Sequence, residues 1–477
     1  MSEVAISRQI FLQVRASVKQ PSILAKLAFR VKIKHESIDH YCETFGTGRW
    51  FPETNVYTLY SKHPMRLKPV QKSKHRPSVL ILGGGFAGVS CAGRLSKHRF
   101  DVCLVDQKPH FEFLPNIHEI LSGVKRPRDV RLNLADQMAA LGHRFTQASV
   151  QDITPEGNQV TLDDGTTLNY DFLVVALGAV DAYYGVTGID ANALSFKSAA
   201  QCDAIGQRLK ALKASSKASR VTIIGAGITG VEALGEILRR GALGNLKITM
   251  LEAQEQLLPN SPKGLDSYIR GLCKPYSVEF RCGETAQRIR KNSVLLGSGE
   301  SLDSDLTIWT GGPAPSPLLS QSGLAKPSNW APVDACLQSL HADNVFIAGD
   351  SAELPSALAK QAYHAIDMGE NVAHNIKALT EGNKKQRYKP SPKPQLISFG
   401  GLGCIMLAGK WAAGAPVLSA GKEAVFEVAM AQLDKQAAPE KTAQLLRRGM
   451  RASDKLFWPT VMSPTALLRQ KNFEVLS

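Results

Sequence analysis

Two glycine clusters carry the chemistry legible in this chain. Gly83-Gly84-Gly85-Phe86-Ala87-Gly88 follows the apolar run Val79-Leu80-Ile81-Leu82, and Gly225-Ala226-Gly227-Ile228-Thr229-Gly230 follows Val221-Thr222-Ile223-Ile224. In each G-x-G-x-x-G the first glycine makes a tight turn, the second lets the backbone approach a ligand, and the third lets the next helix pack on the strand. The chemistry that fits is capture of a pyrophosphate, because a helix N-terminus offers unpaired N–H groups and a partial positive charge. An acid follows each cluster. Asp106 ends the run Val102-Cys103-Leu104-Val105, 18 residues after Gly88, and Glu252 ends Ile248-Thr249-Met250-Leu251, 22 residues after Gly230. A carboxylate at about 20 residues' distance reads ribose hydroxyls. Glu252 is followed by Ala253-Gln254-Glu255, with no Arg or Lys to meet a 2′-phosphate, so the second site is expected to take NADH rather than NADPH. Two such sites imply two nucleotide cofactors, and hence electron transfer between a flavin and a nicotinamide.

The elements that hold these residues read as strand–turn–helix–strand units, the building blocks of doubly wound parallel sheets. A third strand, Asn344-Val345-Phe346-Ile347-Ala348-Gly349-Asp350, ends in Gly-Asp; it is similar to the strand of two-dinucleotide flavoproteins, and that resemblance implies that Asp350 meets the flavin's ribityl chain. Tyr170 to Gly178 and Leu306 to Gly312 read as buried strands that close the two domains. The expected fold class is α/β: two Rossmann-like dinucleotide-binding domains, one for FAD with the NADH domain inserted, plus a C-terminal interface or membrane-anchoring region. The expected boundaries are 77–190 and 331–380 for FAD, 191–330 for NADH and 381–477 for the C-terminal region. The FAD site is expected to use Gly83, Gly85, Phe86, Ala87, Gly88, Asp106, Val150, Gly178, Gly349 and Asp350. The NADH site is expected to use Gly225, Gly227, Ile228, Gly230, Glu252 and Gly312. No metal is expected.

In this order, these landmarks resemble the two-dinucleotide-domain FAD/NAD(P) pyridine nucleotide-disulfide oxidoreductases, and among them the type II NADH dehydrogenases, single-subunit NADH:quinone oxidoreductases. Three runs carry the resemblance. His110 to Gly123 is similar to the family's Phe-x-Pro…Gly segment beside the flavin. Val231-Glu232-Ala233-Leu234-Gly235-Glu236 is similar to its fingerprint-plus-Glu run. Ala359-Lys360-Gln361-Ala362-Tyr363-His364 resembles its Ala-Gln-x-Ala segment at the quinone tunnel. The chain departs from the family at His364-Ala365-Ile366, where a second Gln is frequent, and at Asn116-Ile117, where two leucines are usual. Both departures fall where the acceptor is expected. The resemblance implies FAD, NADH and a quinone, ubiquinone or menaquinone, as partners, with a homodimer as one arrangement. It makes Glu232 the candidate for proton handling or nicotinamide positioning, with a first-turn acid favoured by the helix dipole as the plain alternative. Gln361 and His364 become candidates for hydrogen bonds to quinone carbonyls, or a polar pair at a helix start. Lys360 is a candidate to steady reduced flavin.

The 477 residues carry a formal net charge of +15. That length suits two or three domains. The eight cysteines form no CxxC or CxxxxC pair, which disfavours a redox disulfide and fits a reducing compartment. Residues 1–76 are basic and aperiodic. They read as a disordered extension or a start misplaced upstream of Met65, with a mitochondrial-type targeting segment as the alternative. No apolar run reaches the roughly 18 residues of a membrane span. Leu396 to Gly409 reads as a hairpin, and Gly382 to Pro392 as an exposed loop. The tail, Gln444 to Arg451 and Lys455 to Pro459, mixes basic and apolar residues and reads either as a membrane-surface anchor or as a helix docked on its own protein. Peripheral attachment at the cytoplasmic face of a bacterial inner membrane is expected, or a mitochondrial site if the extension is a transit segment. Nucleic acid is not an expected partner, because no recognised binding module is present. Two other functions stay open: a soluble NADH-dependent flavoprotein reductase serving a ferredoxin- or rubredoxin-type protein, and a redox sensor resembling apoptosis-inducing factor.

Overall fold

The structure, a computed structural model, describes residues 30–32, 39–41, 76–239, 244–391, 393–409, 411–415, 417–436 and 474–476. Two compact units divide the chain, Met1–His75 and Arg76–Ser477. In the first, strands Arg30–Lys32 and Asp39–Tyr41 pair antiparallel. The remainder of the expected N-terminal extension and the basic–apolar tail at 444–459 lie outside the described residues.

The second unit holds two five-stranded parallel sheets with the same layout. One runs Val345–Ile347, Phe172–Val175, Ser78–Leu82, Asp101–Asp106, Arg144–Gln147; the other runs Leu194–Ser195, Leu306–Trp309, Ser219–Ile224, Leu246–Glu252, Val278–Cys282. In each, the strand that feeds a glycine cluster is central and the strand that ends in the acid lies beside it. Val79 to Leu82, Val102 to Val105 and Leu173 to Val175 are buried without alternation, as strands covered on both faces must be. An antiparallel three-stranded meander follows the outer strand of each sheet, at Val150–Thr154, Gln159–Leu162 and Thr167–Asn169 in one and at Ala286–Arg290, Ser293–Leu296 and Ser301–Asp303 in the other. The first sheet receives its last strand, Val345–Ile347, only after the second sheet is complete. That strand delivers Gly349 and Asp350 to the edge of the first sheet.

Leu396 to Gly409 is a hairpin, its strands Gln395–Ser398 and Cys404–Ala408 pairing antiparallel, with Trp411–Gly414 and Glu474–Leu476 extending the sheet. Its turn rests on the Ile228–Arg239 helix, where a Cβ on Gly400 would lie 1.9 Å from the Gly235 carbonyl oxygen. The Val417–Leu433 helix follows. Phe111, Phe86, Phe113 and Phe426 make successive edge contacts with ring centroids 5.0–5.3 Å apart, which join the first glycine cluster to this last helix through the core.

Candidate functional site

The two glycine clusters have the same geometry. Gly83 has φ +105° and Gly225 φ +102°, a region that side chains rarely enter. A Cβ on Gly83 would lie 2.2 Å from the Ala176 oxygen, and one on Gly225 2.6 Å from the Thr310 oxygen. The third glycines close the turns: a Cβ on Gly88 or Gly230 would lie 1.9 or 2.0 Å from the oxygen of the cluster's own first glycine. The middle glycines differ in kind, since a Cβ on Gly85 or Gly227 would meet nothing within 4 Å. Close backbone approach there serves something other than the protein, and a pyrophosphate fits. No side chain caps the N-terminus of the Phe86–Ala92 helix, so its first N–H groups remain for an anion. Phe86 packs its ring in the core, so only its backbone can face a ligand.

Both acids support their own clusters. Asp106 Oδ2 accepts a hydrogen bond from Gly84 N–H (2.6 Å), and Glu252 Oε2 accepts one from Ala226 N–H (2.7 Å). Their other oxygens accept from Lys108 N–H and Gln254 N–H at 2.8 and 3.0 Å. A carboxylate has about four acceptor sites, so capacity for ribose hydroxyls remains. Val150 opens the first meander, half-buried beside the end of the Asp106 strand. Gly178 and Gly312, both at positive φ, follow the closing strands of the two sheets in matching positions. Ser351 Oγ donates to the Gly178 oxygen (3.0 Å) and so ties the Gly349–Ser351 turn to the first sheet. Burial pushes the Asp350 carboxyl above its usual range, against the pull of Lys360 and Lys197. Lys360 is already engaged: its ammonium donates to the Asp350 and Ala352 carbonyls, each at 2.8 Å, and lies 4.1 Å over the Trp330 ring. Its structural task here is to hold the Asp350 turn.

Glu232 lies in a buried cluster built by three segments: Asn116 to Lys125, the Ile228–Arg239 helix and the Val417–Leu433 helix. The helix has no acid in its first turn, so Glu232 is not a dipole-stabilising acid of the kind weighed above. Its Oε1 accepts from Lys422 Nζ (2.5 Å) and from Ser398 N–H (3.1 Å), and its Oε2 is 3.7 Å from His118 Nδ1. Burial raises its pKa, against Lys422 and Ser398, which lower it. Glu236, fully buried one turn on, is also raised by burial and pairs with Arg239 at 2.9 Å. Sequence reasoning passed over Lys422 and His118. Lys422 lies 190 residues from its partner, and no local spacing announces the pair. Asn116 turns inward onto Glu119 (3.0 Å) and Ile117 enters the core, so both side chains are spent on the protein interior.

His118 is 1 % exposed, and burial together with Lys422, Arg239 and Lys125 holds it well below its usual pKa. An unfolded chain therefore takes up a proton at His118 as pH falls below about 6.5, where the folded chain does not. Stability from this site is present above that pH and is lost as pH falls toward the folded value. Replacing His118 by Gln removes the proton. Below pH about 6.5 the parent should lose stability faster than the variant by about 1.4 kcal/mol per pH unit. Denaturant midpoints at a series of pH values read this difference, and equal slopes would show that His118 is charged in the folded protein.

Gln361 is the N-cap residue of the Ala362–Thr380 helix, yet its side chain makes no capping bond, which leaves the amide for another partner. His364, one turn in, is 4 % exposed, and its Nδ1 lies 3.2 Å from the Tyr388 hydroxyl. Tyr388 belongs to the Gly382–Pro392 segment. Its described residues, Gly382 to Ser391, are largely exposed, as expected for a loop, but the loop is pinned by Lys385 to Asp334 (2.9 Å) and by Asn375 to the Gln386 backbone (2.7 and 3.0 Å).

A family model described as pyridine nucleotide-disulphide oxidoreductase matches residues 77–369. A type II NADH:quinone oxidoreductase of Staphylococcus aureus is 26 % identical over 388 residues, 74 % of this chain and 94 % of that relative. Among solved structures, the sulfide:quinone oxidoreductase of Aquifex aeolicus superposes with TM-score 0.68 at 18 % identity, over 84 % of this chain and 97 % of its own. NDH2 of Plasmodium falciparum in complex with NADH superposes with TM-score 0.68 at 14 % identity, over 80 % of this chain and 99 % of its own. The two structures share the fold.

Proposed function

We propose a function from one premise: the chain belongs to the pyridine nucleotide-disulphide oxidoreductase family. It is an FAD-dependent oxidoreductase that takes a hydride from NADH and passes two electrons to a quinone. The observation that carries this reading is the repeated cluster geometry, with Gly85 and Gly227 each facing space that the protein leaves open. The name borne by the Staphylococcus aureus relative supports the choice of quinone. FAD, when bound, supplies the hydride acceptor and the two-electron carrier.

The chain's own residues bind, orient and handle protons. Backbone groups of Gly83 to Gly88 hold the flavin pyrophosphate, Asp106 the ribose, and Asp350 the ribityl chain, with Lys360 and Ser351 fixing its turn. Backbone groups from Gly225 to Gly230 and Glu252 hold NADH. A quinone gains two protons with its two electrons, and Glu232 is the proton-handling group, since its buried carboxyl with a raised pKa can bind and release a proton nearer neutrality than an exposed one. Gln361 and His364 donate hydrogen bonds to quinone carbonyls. Among the described residues no helix is long and apolar enough to cross a membrane, and access to a lipid-soluble quinone is assigned to peripheral contact with the membrane surface.

The test is NADH oxidation by FAD-loaded protein with and without a soluble short-chain quinone. Turnover of about 1–1,000 per second should appear with the quinone and vanish without it. Flavin bleaching by NADH with no quinone turnover would reject the acceptor and redirect the search to an iron–sulfur protein partner or a sensing role.

A further inference from the structure

His364 opens the run His364-Ala365-Ile366, the region where the resembling family frequently carries a second glutamine, and the structure supplies it with a partner from outside the matched segment. The Tyr388 hydroxyl, from the loop after the Ala362–Thr380 helix, lies 3.2 Å from His364 Nδ1. Chemistry decides the direction of this bond. A phenol has one O–H to give, and no second acceptor for the Tyr388 hydroxyl exists among the described residues. Donation to Nδ1 satisfies it, whereas the reverse bond would leave the phenol hydrogen without a protein acceptor. Burial pushes the Tyr388 phenol well up, so it keeps its hydrogen, and burial followed by Lys393 lowers His364, so its ring stays neutral. Asp367, whose charge acts on both His364 and Tyr388, is paired with Lys393 at 3.3 Å. A neutral imidazole that accepts at Nδ1 carries its hydrogen on Nε2. That nitrogen has no hydrogen-bond partner among the described residues, yet it is not one of the polar atoms sealed in the interior.

We propose that Tyr388 is a positioning residue that fixes His364 as its Nε2–H tautomer, so that the ring presents a fixed N–H donor to a carbonyl oxygen of the electron acceptor. The role toward the acceptor rests on the quinone reading above; the tautomer does not. Loop anchoring supports the assignment. Lys385, Gln386 and Tyr388 are the contacts that bind this loop to the helix and to the Asp334 turn, so the phenol is held by backbone and ion-pair contacts on its N-terminal side. A glutamine in this region would offer an amide donor needing no such partner. The histidine needs one, because either ring nitrogen can carry its hydrogen.

The experiment uses the FAD-loaded full chain labelled with 15N-histidine, with His364→Gln identifying the resonance. Nitrogen NMR should show His364 locked as the Nε2–H tautomer in the parent and as a mixture of tautomers in Tyr388→Phe. Steady-state kinetics with a short-chain ubiquinone analogue should show Tyr388→Phe raising KM for the quinone about threefold to tenfold, the range one hydrogen bond carries, with KM for NADH as in the parent. In a His364→Gln background the same substitution should change nothing further. A tautomer mixture in the parent, or a Tyr388→Phe effect of equal size in the His364→Gln background, overturns the proposal. A locked tautomer lost in Tyr388→Phe, in a protein with no quinone turnover at all, rejects the acceptor class and leaves the tautomer assignment standing.

Discussion

Gly83→Val is expected to yield a chain that keeps no flavin. The new Cβ would lie 2.2 Å from the Ala176 oxygen and 2.7 Å from its carbon, and no rotamer relieves a clash made by Cβ itself. Backbone φ of +105° adds about 1–3 kcal/mol for a residue with a side chain. Relief would require parting the Ser78–Leu82 and Phe172–Val175 strands at their ligand-facing ends. The measurement is the ratio of flavin to protein absorbance after purification, together with the melting temperature; both should fall. Gly85→Ala separates fold from ligand. Its Cβ meets no protein atom within 4 Å, so the apo chain should melt with the parent, while FAD affinity should drop about tenfold or more if the pyrophosphate lies against that backbone. Parental FAD affinity in Gly85→Ala would place the ligand elsewhere.

The second large effect concerns Glu232 and Lys422. Removing one member of a buried ion pair leaves the other uncompensated, at a cost of about 3–5 kcal/mol. Lys422→Met strips Glu232 of its cation and leaves Ser398 N–H and the neutral His118. Glu232 then has a folded pKa further above its unfolded value. Its contribution to stability is full below the unfolded value, near 4.5, and is lost as pH rises through the folded one. Lys422→Met should therefore be closest to the parent at pH about 4.5 and below, and markedly less stable in alkaline buffer. Glu232→Gln leaves a buried ammonium and should be destabilised by a similar amount, and the double variant Glu232→Gln/Lys422→Met should recover most of the loss. In stopped-flow measurements Glu232→Gln should slow flavin reoxidation by quinone about a hundredfold or more, as loss of a proton-handling group does. A double variant no better than the worse single variant would show the pair to be uncoupled. Parental reoxidation in Glu232→Gln would remove Glu232 from proton handling.

Legibility from the amino-acid order follows from how local each constraint is. Gly83, Gly88, Gly225 and Gly230 were readable because a turn of that shape tolerates nothing larger, so residue type reports backbone geometry directly. The α/β class and the parallel sheets were readable because unalternating apolar runs ahead of such turns are doubly buried strands. Lys422, His118 and Tyr388 were not. Lysine, histidine and tyrosine occur on any helix or loop, and only the assembled fold brings Lys422 to Glu232 across 190 residues, or Tyr388 to His364 across 24. Lys360 was noticed for its charge. The structure spends that charge on two backbone carbonyls, a use that composition does not announce.

Lys422 and Glu423 are neighbours on the Val417–Leu433 helix and grip different elements: Lys422 takes Glu232, and Glu423 takes Lys125 at 2.6 Å. Phe426, one turn on, packs against Phe113 and under the Lys125 ammonium. These three residues lie beyond the matched segment 77–369. Residues 113–125, 228–239 and 417–433 are thus tied together by these contacts, two of the three segments inside the matched region and one outside it. A chimera that exchanged the matched segment alone would import Glu232, the residue proposed to handle protons, without the lysine that pairs with it.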